Sequence, residues 1–199
     1  MRSNQKESVP HDGSLRNELP IFVAVVSAGV LIRLACLDLP NFAPVAAIGM
    51  FAGFYFYRRS LALLVPLAIM AISDRWAGGY SWLVMSSVYT CFLVPPLLGR
   101  ALRPRYTKLS LGAKIVARAA VLAAALGGSL LFFLVTNFAV WAASSNLGFV
   151  QCYVEAIPFY RFTLFGDLFF SATLFTAYDV CCVVAARLNR HHQDALVSA

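Results

Sequence analysis

Four ionisable side chains stand inside long apolar runs of this sequence: Arg33, Arg118, Asp167 and Asp179. A charge in hydrocarbon surroundings costs a few kcal/mol, so such groups turn towards a protein interior or a watery cavity and find a partner there. Paired, they hold helices together; facing a cavity, they can bind a polar ligand. Other chemistries fall away more simply. The three histidines, His11, His191 and His192, lie in polar tails, which leaves the apolar part of the chain without imidazole catalysis or an imidazole metal site. The five cysteines, Cys36, Cys91, Cys152, Cys181 and Cys182, show no C-x-x-C spacing, and no disulfide framework is expected. No glycine-rich phosphate loop ending in Gly-Lys-Ser or Gly-Lys-Thr is present, so any use of ATP requires another subunit. The carboxylates Asp74 and Glu155 have no recognisable nucleophile and base beside them, and neither an enzyme nor a cofactor is expected.

The elements that position these groups follow from composition. Of 199 residues, 60% are hydrophobic and 13% charged, with a mean hydropathy of +0.74, against about 25% charged in soluble domains. Apolar stretches of roughly 17 to 25 residues recur, enough for helices to cross a hydrocarbon core of ~30 Å. The expected fold is an all-α, polytopic membrane helix bundle of about six transmembrane helices. The segments run from about Pro20 to Cys36, Phe42 to Tyr57, Ser60 to Ile72, Tyr80 to Leu98, Ile115 to Trp141 and Pro158 to Ala186. The second and third are short, which leaves a re-entrant hairpin as an alternative. Residues 1–19 read as a disordered cytoplasmic tail, 20–186 as the transmembrane domain and 187–199 as a second cytoplasmic tail. The linker from Ala142 to Ile157 is too apolar for a simple loop and reads as a half-helix at the interface.

Charge orients the bundle. Cytoplasmic loops accumulate Lys and Arg, and with six spans and an inside N-terminus the inner set is Arg2, Lys6, Arg16, Arg58, Arg59, Arg100, Arg103, Arg105, Lys108, Lys114, Arg187 and Arg190. Only Arg75 and Arg161 fall outside. Both termini are therefore expected in the cytoplasm, with the protein a multi-pass component of the cell inner membrane. The lipid bilayer accounts for the basic excess, and no nucleic-acid partner is implied.

At 1.5 Å per residue, Arg33 lies roughly 20 Å above the inner end of the first segment and Asp167 roughly 12 Å below the outer end of the last. Those depths nearly coincide, so Arg33 with Asp167 is one expected pair. Arg118 with Asp179, both near the inner boundary, is the other, with snorkelling to the headgroups as the alternative for these two. On the last segment Tyr160, Thr163, Asp167, Ser171 and Tyr178 recur at helical spacing, a polar stripe that suits either interhelical hydrogen bonding or a cavity wall. Asn137 and Trp141 add an amide and an indole near the outer end of the fifth. The outer connections carry Asn41, then Asp74, Trp76, Tyr80 and Trp82 around Gly78-Gly79, then Cys152, Tyr153 and Glu155. Aromatic surfaces with a few polar groups suit a small organic ligand, and they equally suit the interface itself. The spacings Ala24-x-x-x-Ala28 and Gly49-x-x-x-Gly53 permit close helix approach, within the chain or against a partner.

Four strings, PNFAPVAAIG at residues 40–49, ISD at 72–74, FFLVTNFAVW at 132–141 and CYVEAIPFYR at 152–161, resemble an uncharacterised family of small bacterial integral membrane proteins, with the likeness covering residues 20 to 180. That family implies no established activity. In length, inside termini and short second and third spans the chain also resembles the substrate-binding S components of energy-coupling factor vitamin transporters. That resemblance implies a nutrient site between the outer loops and the last three helices. It also implies an energising membrane subunit with an ATPase, docked on an Ala-x-x-x-Ala face of the first helix that Ala24 and Ala28 match. The expected function is thus a nutrient-binding transport subunit with a cavity built from Arg33, Asn41, Asp74, Asn137, Tyr153, Arg161 and Asp167. A structural or assembly protein of the membrane is the alternative. The substrate is left open.

Overall fold

The structure is a computed structural model that describes residues 15–39, 41–79, 81–107, 113–144, 146 and 148–197. All regular elements among them are α-helices: α1 (Leu15–Ala35), α2 (Val45–Tyr55), α3 (Arg59–Ala77), α4 (Trp82–Cys91), α5 (Val94–Thr107), α6 (Ala113–Ala143) and α7 (Phe149–Val197). Residues 1–14 of the expected tail 1–19, Tyr80 in the Gly-Gly turn, and Lys108 in the basic loop lie outside the described residues. Five stretches are long and apolar enough to cross a membrane, with α4 and α5 counting as one rod, Trp82–Arg103, across a two-residue break. Two prolines, Pro95 and Pro96, sit just past that break in the first turn of α5, where a missing N–H costs a helix little.

The expected second span is the exception. α2 has 11 residues, about 16 Å of helix, half of a hydrocarbon core. It is instead the centre of the bundle, with eight of its eleven residues buried, among them Val45, Ile48, Met50 and Phe54, and it packs between α3, α5 and α7. A helix apolar all round has no face to offer water, and burial among other helices is the arrangement that suits it. Its two sides belong to two packed clusters. Val45, Ile48 and Ala52 meet Val26 of α1 and Val65 and Ile69 of α3. Met50 and Phe54 meet Leu102 of α5, Val121 of α6 and Phe175 of α7. Close packing of these side chains gains many small dispersion contacts in each cluster.

The Gly49-x-x-x-Gly53 spacing serves this packing inside the chain. A Cβ on Gly53 would fall 1.9 Å from the Pro96 carbonyl oxygen, and one on Gly99 would fall 1.8 Å from that of Met50. The α2 and α5 backbones thus touch, which only glycine allows at both points.

α1 and α3 run in the same direction, with Glu18 and Tyr57 meeting at one end and Arg33 and Asp74 at the other, and the two ends of the bundle differ. At one end Glu18 of α1 accepts a hydrogen bond from the Tyr57 amide at 2.8 Å, and Arg103 and Arg100 donate to the carbonyls of Phe56 and Tyr57, each at 3.2 Å. Arg118 of α6 and Asp179 of α7 meet at 2.9 Å near the same end, the pair expected from their matching depth. This end carries Arg58, Arg59, Arg100, Arg103, Arg187 and Arg190. Two boundaries shift from expectation. α1 begins at Leu15, with Glu18 inside it and buried. α7 begins at Phe149 and runs to Val197, so the apolar linker is its opening turns and most of the expected C-terminal tail is its continuation.

Candidate functional site

At the opposite end α1, α3, α4, α6 and α7 splay around a cavity of about 470 Å³, within the ordinary range for small-molecule sites. The chain between α1 and α2 forms part of its wall. Asn41 there has φ +62°, a left-handed conformation that asparagine tolerates better than most residues. It turns the backbone so that Phe42 and Ala43 pass close against Gly166 of α7, where a Cβ would sit 3.3 Å from the Phe42 ring. Non-helical backbone at this depth is tolerated because it is enclosed by protein and lines a cavity. α2 then starts at the cavity floor, where Ala46, Pro95, Gly128 and Asp167 separate the main cavity from a small void of about 10 Å³ beneath.

Three formal charges line the cavity among the described residues: Arg33, Asp74 and Asp167. Arg33, in the last turn of α1, bonds to Oδ1 of Asp74 at 2.7 Å and donates to the Ser73 hydroxyl. The Tyr89 hydroxyl of α4 donates to the other oxygen of Asp74 at 2.8 Å. Three helices are thereby tied at the cavity mouth, and both Asp74 oxygens are occupied.

The pairing of Arg33 with Asp167 is therefore corrected. α7 starts nine residues earlier than expected, which puts Asp167 about 27 Å along its helix rather than the roughly 12 Å expected. Arg33 sits at the upper end of α1, level with the last turns of α3. Asp167 lies at the cavity floor beside the small void, 6% exposed, with no hydrogen-bond or ion-pair partner among the described residues, while Arg33 is engaged by Asp74. Ser171, one turn further on and also buried, has an unpartnered hydroxyl and borders the small void.

Of the expected site residues, the structure brings Arg33, Asn41, Asp74, Asn137 and Asp167 to this one cavity. Asn137 donates its amide to the Phe133 carbonyl within α6 at 2.7 Å, which turns its oxygen to other partners. Tyr153 and Arg161 do not line it. The Tyr153 hydroxyl donates to the Leu134 carbonyl at 2.8 Å, fastening the start of α7 to α6, while Arg161 is exposed and stacks over Phe162 with 4.8 Å to the ring centre. The polar stripe of α7 divides: Tyr160, Thr163 and Asp167 face the cavity, whereas Tyr178 packs on Phe51, Phe54 and Tyr55. Trp76 and Trp82, 65% and 86% exposed, stand outside the cavity as interface anchors would.

Tyr89 was not among the expected site residues, and neither was the aromatic wall of Phe42, Phe92, Phe132, Phe133 and Phe159. A hairpin folded at Gly78-Gly79 places Asp74 opposite Leu83, so the Tyr89 contact carried no spacing signal. The phenylalanines look in sequence like any lipid-facing residue. Among the described residues no group of three or more His, Cys, Asp or Glu could hold a metal ion.

Neither the curated proteins nor the solved structures yielded a match to this chain. One family model does match, over residues 14–189, which takes in all the helices that build the cavity. The chain belongs to that family, a family of unknown function designated DUF6580.

Proposed function

We propose that this protein is a membrane-embedded binding subunit that takes a vitamin or similar small nutrient from outside the cell. The observation that supports this is the cavity of about 470 Å³, open at one end of the bundle and lined by aromatic rings with a few polar groups at separate depths. Ligand sites of this kind are concave, mostly apolar and largely preformed. The arginines gathered at the other end favour a cytoplasmic face there, which makes the cavity face outward across the inner membrane. A cavity closed by α2 and α5 below implies an energising partner for release inwards. Ala24 and Ala28, both exposed on α1, form the face such a subunit would use.

The test is ligand stabilisation. Purified protein in detergent is heated with members of a panel of water-soluble vitamins and precursors, and bound small molecules are sought in the purified sample by mass spectrometry. A ligand that binds only the folded state stabilises it by RT ln(1 + [L]/Kd), about 2.7 kcal/mol at a hundredfold excess over Kd. Replacing Asn41 or Asn137 should weaken that gain, while replacing Arg161, Arg187 or Arg190 should leave it unchanged. Folded protein that no panel member stabilises and that carries no bound molecule would move the assignment to the alternative, a structural or assembly protein whose polar groups only join helices.

A further inference from the structure

We infer that the ligand of this cavity is a small organic cation, held with its positive charge above Asp167 and between aromatic rings. The inference rests on the binding function proposed above and narrows it to a substrate class.

Charge balance is the first argument. At the mouth Arg33 and Asp74 neutralise each other at 2.7 Å, and Tyr89 fills the remaining Asp74 oxygen. That leaves Asp167 as the one acidic group among the described lining residues without a hydrogen-bond or ion-pair partner there, and it is 94% buried. Buried carboxylates are ordinarily paired, because desolvation is costly. The amino end of α2, whose Ala46 and Ala47 share the small void with Asp167, helps to hold a negative charge, though a helix end supplies only about half a unit. A neutral ligand could meet this carboxyl only with a hydrogen bond, whereas a monocation brings both a partner and the opposite charge.

The walls are the second argument. Phe42, Phe92, Phe132, Phe133, Phe159 and Tyr160 line the cavity. Two pairs of them are in ring contact, Phe133 and Tyr160 centred 4.7 Å apart and Phe92 and Phe132 5.4 Å apart. Ring faces carry negative quadrupole charge and attract cations, most strongly where water is excluded. A carboxylate at the floor with rings around it is the environment that quaternary and heteroaromatic cations favour over metal ions, which require several oxygen ligands.

The experiment compares charge at constant shape. Calorimetric titration of the purified wild-type protein uses choline and its uncharged isostere, in which a tert-butyl group replaces the trimethylammonium, and then benzyltrimethylammonium with the matching neopentyl compound. Each cation is expected to bind about tenfold or more tightly than its isostere, and in Asp167→Asn the preference should shrink to within about twofold. A second measurement needs no variant. Labelling of Asp167 in wild-type protein by dicyclohexylcarbodiimide, read by mass spectrometry, should be suppressed by the cations and not by the isosteres. Equal binding of cation and isostere, or a preference that survives in Asp167→Asn, overturns the inference. So does stabilisation by a neutral or anionic vitamin with no response to either cation, an outcome that leaves the binding function standing. Absence of any binding, with the protein folded, overturns both.

Discussion

Replacing Gly53 with alanine tests the central packing of the bundle with a single methyl group. The added Cβ would lie 1.9 Å from the Pro96 carbonyl oxygen, 2.6 Å from its carbon and 2.8 Å from Cα, whereas real Cβ contacts are essentially never closer than 3.0 Å. The obstacle is backbone, so no side-chain rotation relieves it, and α2 must move off α5 by opening the gap from 1.9 Å to at least 3.0 Å. α2 has α3 on its far side and α7 beside it, so that motion spreads into both packed clusters. Overpacking of this kind costs typically 1–3 kcal/mol, with a backbone obstacle at the upper end of the range. Against this stands the helix-propensity gain of alanine over glycine, up to about 1 kcal/mol. The net expectation is a loss of about 2 kcal/mol, or a fall of about 4–8 °C in Tm for a chain of this size. Gly127 of α6 is the control, because a Cβ there meets nothing within 4 Å. Gly127→Ala should keep the propensity gain and raise Tm by about 2–4 °C. Thermal unfolding of both variants in one detergent, followed by far-UV circular dichroism, gives the comparison. If Gly53→Ala unfolds at or above the temperature of Gly127→Ala, the close approach of α2 and α5 is refuted.

The mouth network predicts a specific coupling. Arg33→Ala and Asp74→Ala should each destabilise by about 1–3 kcal/mol through the charge left behind at this partly exposed site, and the double variant should recover part of that loss, whereas a cycle between Arg33 and Asp167 should be additive; thermal unfolding reads both cycles. Topology makes the last prediction: in a cysteine-free background, single cysteines near Gly78 and at Asn146 should react with an impermeant maleimide from outside intact cells. Cysteines near Arg58 and Arg103 should react only after permeabilisation, and labelling of the Arg58 site from outside would reverse the assigned orientation.

Much of this architecture was legible from residue type and spacing, and the exceptions share a cause. Arg118 and Asp179 could be paired from sequence because both lie near the same helix boundary, where an error of a few residues changes depth little. Arg33 and Asp167 could not, because the depth of Asp167 depends on where α7 begins, and the apolar residues 149–157 extend that helix instead of forming a separate piece. The same extension turns Tyr153 towards α6 and leaves Arg161 exposed. Gly49 and Gly53 announced close packing correctly, but α2 looked like a span because its sequence is as apolar as one; only its 11-residue length, set by Pro44 before it and the extended Phe56 after it, separates a buried half-helix from a crossing one. The cavity itself is a property of how α1, α3, α4, α6 and α7 diverge, and no local pattern in any one of them encodes it.

The half-length of α2 also bears on the order in which the bundle is assembled during synthesis. α1 and α3 are each long enough to enter a bilayer as independent helices, but an 11-residue helix is not, and irregular backbone beside it cannot satisfy all its N–H and C=O groups in lipid. Its partners on α5 and α7 lie 40 to 120 residues later in the chain. Residues 36–58 are therefore expected to wait at the membrane surface until those helices have inserted, and then to sink between them in the last step of folding. The residues that wall and floor the cavity would then be the last to reach their places, so that the ligand site comes into existence only when the whole chain is present.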